Sequence, residues 1–309
     1  MMTPAVSVIV TTYRHARFVE EALDSLAVQS FQDFEILLTD DASGDETPDI
    51  VESWLRRSGR AVSFQRNRAN RGISANRKAA LERAAGEFVC SLSGDDAYQP
   101  GRIEAHIGYL RDHPEVAAVY SDACLVSDEG SRIGDSFLAQ HRPGGIPRDE
   151  HLFEDLLLEH NFLCAPAVTI RRSAIEAVDG YDQTLFYEDY AMWLKLAFRF
   201  PVRFKPGELV RYRVLETSVS HDPRYRSSMR EADFAIYKSW LGRTSHDAVL
   251  KEKLWSLCVA QLREGADTSA RELFAAYARI DRRPKRALAS ALACVPFGCD
   301  ALRFAERWT

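Results

Sequence analysis

Four short apolar runs, each followed by a helix-like segment, constrain this chain more than anything else in it. They are VSVIVT (Val6 to Thr11), FEILL (Phe34 to Leu38), FVCSL (Phe88 to Leu92) and VAAVY (Val116 to Tyr120). None shows the strict alternation of a half-exposed strand, so each suits a strand buried on both faces. Between them, Val19, Ala22, Leu23 and Leu26 recur at helical spacing, as do Ile50, Val51, Trp54 and Leu55. Thr47-Pro48 reads as an N-cap and first helical residue. Further helices are expected from Ser74 to Ala85 and after Pro100, with a short strand over Val62 to Gln65. Strands alternating with helices predict a mainly parallel, twisted α/β sheet flanked by helices.

In such sheets ligands bind beyond the carboxyl ends of the strands. Two acidic pairs fall there: Asp40-Asp41 after the second run, and Asp95-Asp96 after FVCSL. The bland reading of DDASGDET is a turn, because Asp, Ser and Gly all favour turns and caps. Alternatively a carboxylate there accepts hydrogen bonds from a ribose hydroxyl or a base N–H. Asp95 and Asp96 repel each other unless donors or a cation offset their charge, and hard oxygens suit Mg²⁺ or Mn²⁺. A helix cap or solvated turn is the competing reading. A third pair, Glu188-Asp189, opens the segment EDYAMWLKLAFRF. Acids in a first helical turn complement the helix dipole, and one of them could equally serve as a general base.

Missing motifs narrow the field. No G-x-G-x-x-G follows the first strand, where the turn is Thr12-Tyr13-Arg14-His15, and this argues against a dinucleotide-binding dehydrogenase. No P-loop or G-x-S-x-G elbow is present either. With 40 Lys+Arg against 45 Asp+Glu, a dedicated nucleic-acid binder is not expected. Six cysteines lie far apart with no C-x-x-C, which fits buried thiols in a reducing cytoplasm. The N-terminal MMTPAVSVIV lacks a basic region before its apolar stretch and reads as a first strand, not a signal peptide.

The remainder is less regular. Cys124 to Glu150 has no clear period and is expected to be a long loop. Ala165 to Ile170 and Leu209 to Val214 are strand-like, and beyond about Tyr225 the pattern is helical. The expected organisation is therefore residues 1–224 as one α/β domain and 225–309 as a helical extension.

The matching stretches SVIVTTYRHARFVEEALDSLAVQSFQDFEILLTDDASGDET (Ser7 to Thr47), NRGISANRKAAL (Asn70 to Leu81), GEFVCSLSGDDAYQPGRI (Gly86 to Ile103) and GYDQTLFYEDYAMWLKLA (Gly180 to Ala197) together resemble glycosyltransferase family 2. The resemblance covers about residues 5–220 and implies the A-type nucleotide-sugar transferase fold. It also implies an inverting transfer of sugar from a nucleotide-diphosphate donor to a hydroxyl acceptor, in polysaccharide or glycolipid assembly. By resemblance, Thr11, Tyr13, Asp41 and Arg71 meet the donor nucleotide. Ser93-Gly94-Asp95 occupies the family's D-x-D position, with Ser93 in place of the first acid. Asp95 becomes the main ligand of a divalent cation (Mn²⁺ or Mg²⁺), helped by Asp96 or water. Asp189 is the expected base, paired with Glu188. Tyr212-Arg213-Val214-Leu215 resembles a Y-R-x-H element with Leu215 where a His is common, and His221 is a candidate late metal ligand.

Arg211 and Arg213, two residues apart on a strand, share one face and could meet a diphosphate or solvent. A sugar nucleotidyltransferase and a non-catalytic sugar- or nucleotide-binding scaffold are the alternatives. Residues 279–309 carry seven Arg/Lys against three Asp/Glu beside apolar stretches. This suits either a packed or oligomer-forming helical pair, or a peripheral contact with the inner membrane face and a lipid-linked acceptor. The body is otherwise expected to be cytoplasmic.

Overall fold

The computed structural model describes residues 3–293, apart from 148, 217, 219–221 and 266. The chain divides into two compact units, Met1–Leu215 and Glu216–Thr309.

Unit 1 opens with strand β1 (Val6–Thr12), helix α1 (Val19–Ala27), β2 (Phe34–Asp40), α2 (Thr47–Ser58), β3 (Val62–Arg66), α3 (Ile73–Leu81), β4 (Phe88–Ser93), β5 (Ala97–Tyr98) and α4 (Arg102–Asp112). It continues through β6 (Ala118–Val126), β7 (Arg132–Ser136), α5 (Phe137–His141), α6 (Leu152–Glu159), β8 (Val168–Arg171), α7 (Arg172–Ala177), α8 (Asp189–Arg199) and β9 (Val202–Arg213). All nine strands form one sheet in the order β3-β2-β1-β4-β8-β6-β9-β5, with β7 paired to β6. The β3-β2-β1-β4 half is parallel throughout. β8 then enters antiparallel between β4 and β6, while β6 and β9 run parallel. The sheet is thus mixed, with helices packed against it.

Burial explains the apolar runs. All seven residues of β1 are buried, and Val8, Ile36 and Cys90 sit in register across β2, β1 and β4. Each fully buried Val, Ile or Leu is worth roughly 1.5–3 kcal/mol. From α1 the predicted stripe Val19, Ala22, Leu23 and Leu26 is buried, and from α2 Val51 and Trp54 are. Arg102 is fully buried at the start of α4, where it donates to Thr169 Oγ1 and to the Pro166 and Val168 carbonyls at 2.7–2.8 Å. It thereby fastens α4 to the antiparallel β8.

Three local expectations change. Residues 124–150 are not a bare loop: β6 runs on to Val126, and β7 and α5 follow. Ser121 and Asp122 interrupt the apolar run at a register shift against β9, which hid the longer strand. β9 begins at Val202, well before Leu209, because Pro206-Gly207 breaks its pattern. Helix α2 starts at Thr47 with Glu46 at its N-cap, and Asp45, one residue earlier, accepts from the Thr47 amide (3.1 Å) and hydroxyl (2.6 Å).

Unit 2 contains α9 (Arg226–Trp240), α10 (Asp247–Arg263), α11 (Asp267–Tyr277) and α12 (Pro284–Ala293). Leu250, Leu254, Cys258 and Leu262 bury one stripe of α10. Trp255 contacts the rings of Phe274 and Tyr277. Of the basic tail, Arg283 pairs with Glu252 (2.9 Å) and Asp281 (2.5 Å), and Arg286 also pairs with Glu252, whereas Arg282 and Lys285 are exposed. Residues 294–309, including Cys294, Cys299, Arg303 and Arg307, lie outside the described residues. Cys90, Cys164 and Cys258 are buried thiols and Cys124 is half-buried. Among the described residues no helix is long and apolar enough to cross a membrane.

Gly86 precedes β4 with its Cα pressed on β1: a Cβ there would lie 2.5 Å from the Ser7 nitrogen. Gly108, exposed inside α4, has nothing within 4 Å of such an atom. In urea denaturation, Gly86→Ala is expected to cost ~2 kcal/mol or more. Gly108→Ala should add ~0.5–1 kcal/mol through helix propensity.

Candidate functional site

Parallel pairing brings three strand ends side by side. Thr12 is in register with Asp40, and Thr11 with Ser93. The ladder continues one residue further: the Asp41 amide donates to the Thr12 carbonyl and the Gly94 amide to the Thr11 carbonyl, both at 2.9 Å. The end of β1 is therefore flanked by both acidic turns.

Asp41 is buried, and its carboxylate accepts from Asn67 Nδ2 (2.8 Å), the Arg71 amide (2.8 Å) and the Gly72 amide (2.9 Å). It staples the 67–72 turn while keeping lone-pair capacity for a further donor. Arg71 is held by its main chain, and its side chain is exposed. Thr11 is buried and Tyr13 half-buried, with the Arg14 guanidinium 5.2 Å from the Tyr13 ring centre. Beside Asp41 lies an open cleft of about 440 Å³ lined by Ala42, Ser43, Arg66, Asn67 and Arg68.

The second acidic turn separates its two carboxylates. Asp95 accepts from the Ser93 hydroxyl and keeps 14% of its side chain exposed. Asp96 is buried and accepts from the Arg213 amide at 2.9 Å. Burial, then the neighbouring Asp95 charge, hold the Asp96 carboxyl well above the ordinary range, against the pull of Arg213. The structure therefore does not bring Asp96 beside Asp95 at an open face. His15, which the sequence reading passed over, brings Nε2 to 3.7 Å from Asp95 Oδ2. Among the described residues no three His, Cys, Asp or Glu side chains converge as a ready-made metal site. His221 lies outside the described residues.

Arg213 organises this turn. Its guanidinium donates to the Asp95 carbonyl (3.0 Å), the Ser127 and Asp128 carbonyls (2.8 Å each) and Glu21 Oε2 (2.6 Å). Arg211 reaches the other Glu21 oxygen at 2.5 Å. The two arginines share a face, as the strand period requires, and Glu21 holds both.

The third acidic pair is also divided. Glu188 is 1% exposed and paired at 2.5 Å with Arg77, itself buried on α3. Ser74 Oγ lies 3.3 Å from the other Glu188 oxygen. Asp189, the first residue of α8, is half-buried, accepts from the Tyr190 amide (2.7 Å) and lies 3.4 Å from Asn161 Nδ2. Burial and the Glu188 charge push its carboxyl up to about 6, while Arg77 acts the other way. Arg77 also acts electrostatically on Asp96, and both Asp96 and Asp189 raise the buried Cys164 thiol above its ordinary range, after burial itself. The turn after β4 and the start of α8 thus share neighbours. Arg77 carried only a weak sequence signal, lying three residues after Ser74 on one α3 face, and Asn161 carried none.

The model of the family described as glycosyl transferase family 2 matches residues 7–178. The putative glycosyltransferase EpsE of Bacillus subtilis is 28% identical over 195 residues, which cover 62% of this chain and 66% of its own length. The putative teichuronic acid biosynthesis glycosyltransferase TuaG of the same organism is 27% identical over 218 residues, 70% of this chain and 82% of its own. Among solved structures, S. aureus TarS 1-349 in complex with UDP-GlcNAc superposes with a TM-score of 0.62 at 19% identity, over 96% of this chain and 83% of that one. The mannosyltransferase PcManGT from Pyrobaculum calidifontis, in complex with GDP-Man and Mn²⁺, gives 0.58 at 20% identity, over 96% and 83%. At these identities the structural likeness establishes the fold, the nucleotide-sugar transferase A type.

Asp189 has a consequence for stability. Its folded carboxyl titrates near 6, above the ordinary 3.8, so ionising it costs folding energy. Stability from this group is full below about pH 4 and is lost as pH rises through 6. Asp189→Asn is expected to raise the melting temperature at pH 8, with the gain shrinking between pH 6 and pH 4. Thermal melts across pH 4–8 check this, and a pH-independent difference would contradict it.

Proposed function

The chain belongs to glycosyltransferase family 2, and from that premise we propose that it transfers a sugar with inversion from a nucleoside-diphosphate donor to a hydroxyl acceptor. What supports the reading is that Arg77, ion-paired with Glu188 beside Asp189, also acts electrostatically on Asp96 in the turn after β4, at the strand ends where α/β sheets bind ligands.

The nucleotide lies in the cleft beside Asp41, with Thr11, Tyr13 and the Arg71 turn around it. Asp41 accepts from a ribose hydroxyl or base N–H. The diphosphate meets Ser93, Gly94 and Asp95. An Asp95 carboxylate with a hydroxyl beside it suits a divalent cation that completes its shell with substrate phosphates, as Mg²⁺ commonly does. Bound there, such an ion supplies positive charge against the leaving diphosphate. Asp96 acts through the main chain of β9, holding the turn. Asp189 takes the proton from the acceptor hydroxyl as that oxygen bonds to the anomeric carbon. The bond from that carbon to the diphosphate oxygen breaks on the opposite face, which inverts the configuration. Glu188, fixed by Arg77, sets the start of α8 and keeps Asp189 basic enough at neutral pH.

The relative TuaG, described as a teichuronic acid biosynthesis glycosyltransferase, supports a role in polysaccharide assembly, for which the acceptor would be a saccharide hydroxyl. A lipid-linked acceptor would agree with a peripheral membrane contact through residues 279–309, where Arg282 and Lys285 are exposed.

Asp189→Asn is expected to keep nucleotide-sugar binding and lose transfer by ~10²–10⁴-fold. Wild-type kcat should fall as pH drops below about 6, since the base must be ionised. Full transfer by Asp189→Asn would remove it from this role. Asp95→Ala should weaken Mn²⁺-dependent binding of nucleotide sugars in calorimetry, and an unchanged titration would count against it.

In liposome co-sedimentation, removing 279–309 should abolish pelleting with anionic vesicles. Equal pelleting of both chains would exclude the membrane contact.

A further inference from the structure

The acid missing at Ser93 leaves Asp95 as the sole carboxylate at the diphosphate turn that keeps exposure, and the structure places an imidazole beside it. His15 is fixed at the start of α1, where its carbonyl accepts from the Phe18 and Val19 amides, both at 2.9 Å. Its ring rests on Gly94: a Cβ there would lie 2.8 Å from His15 Nδ1 and 2.7 Å from Thr12 Oγ1. Only glycine leaves room for this packing. His15 Nδ1 is buried and has no hydrogen-bond partner among the described residues, as is Thr12 Oγ1. His15 Nε2 faces Asp95 Oδ2 across 3.7 Å, too far for a hydrogen bond.

That spacing is suited to sharing an ion. Two ligands at about 2.1 Å from one metal stand about 3.0 Å apart at right angles and about 4.2 Å apart when opposite. The observed 3.7 Å falls between these limits. We propose that His15 is the second protein ligand of the cation at Asp95, taking over from the acid replaced by Ser93. The inference rests on the cation-binding role assigned to Asp95 above. A nitrogen ligand changes the ion preferred. Both ions favour oxygen ligands, but Mn²⁺, as a transition-metal ion, accepts an imidazole beside them more readily than Mg²⁺ does, so exchanging an acid for His15 shifts the preference of the site toward Mn²⁺.

The test is pulsed EPR of Mn²⁺ bound to the full chain at pH 8, with UDP or GDP present. Wild type should show ¹⁴N coupling to the bound Mn²⁺. His15→Gln should lose that coupling and bind Mn²⁺ more weakly, by at least the ~10–100-fold that even supporting residues of metal sites carry. His15→Asp, which restores an oxygen donor, should recover binding and shift the preference toward Mg²⁺. Thermal melts confirm that both variants fold. Bound Mn²⁺ that depends on Asp95 but shows no nitrogen coupling would overturn the role of His15 and leave the cation at Asp95. Coupling that survives in His15→Gln would also overturn it. No Mn²⁺ binding in wild type would overturn both assignments.

Discussion

One buried guanidinium holds the site together. Arg213 lies at the end of β9, 3% exposed, over the ring of Phe18. Its side chain ties the Asp95 carbonyl, the turn after β6 and the Glu21 carboxylate into one cluster, while its amide binds Asp96. A buried arginine is tolerated only when its donors are satisfied. Here the satisfaction comes from three separate segments, so their relative positions are set by one cation. Arg213 also binds both residues of the acidic turn after β4, the Asp95 carbonyl through its guanidinium and the Asp96 carboxyl through its amide. Arg102 does comparable work at the start of α4, which it fixes to β8 through one hydroxyl and two carbonyls, with no carboxylate partner among the described residues.

Adjacent acids recur in this fold, and at two places they divide their labour. In Asp95-Asp96 and Glu188-Asp189, one member is buried and bound by the protein while the other keeps some exposure. The buried member shapes the backbone, and its charge raises the proton affinity of its neighbour when that neighbour is itself desolvated. Asp189 is the clear instance. Glu188 next to it and burial around it together lift its carboxyl to about 6, in spite of Arg77. A carboxylate in that range takes up a proton readily near neutral pH. Asp41 follows another logic: it accepts from three donors of the 67–72 turn and fixes that turn beside the cleft.

The positions of the buried strands and of the acidic turns were legible in the residues because they follow from local chemistry. β-branched apolar runs form doubly buried strands, and the turn residues after them sit at the carboxyl ends. Legibility failed where pattern and pairing part company. β6 and β9 are longer than their apolar cores suggest, since their pairing resumes from Asp122 and Glu208 onward beyond an irregularity that includes Ser121 and Pro206-Gly207. The antiparallel entry of β8 had no local signal at all.

By itself the sequence determined the alternating α/β architecture, the strand ends as the place for a site, and the acids found there. These depend on side-chain type and short-range period, which a linear chain displays directly. Only the tertiary structure decided which member of each pair is buried, that Arg213 and Arg77 hold the acidic turns, and that His15 meets Asp95. Those outcomes depend on contacts between residues 80 to 192 positions apart, and no local propensity encodes them.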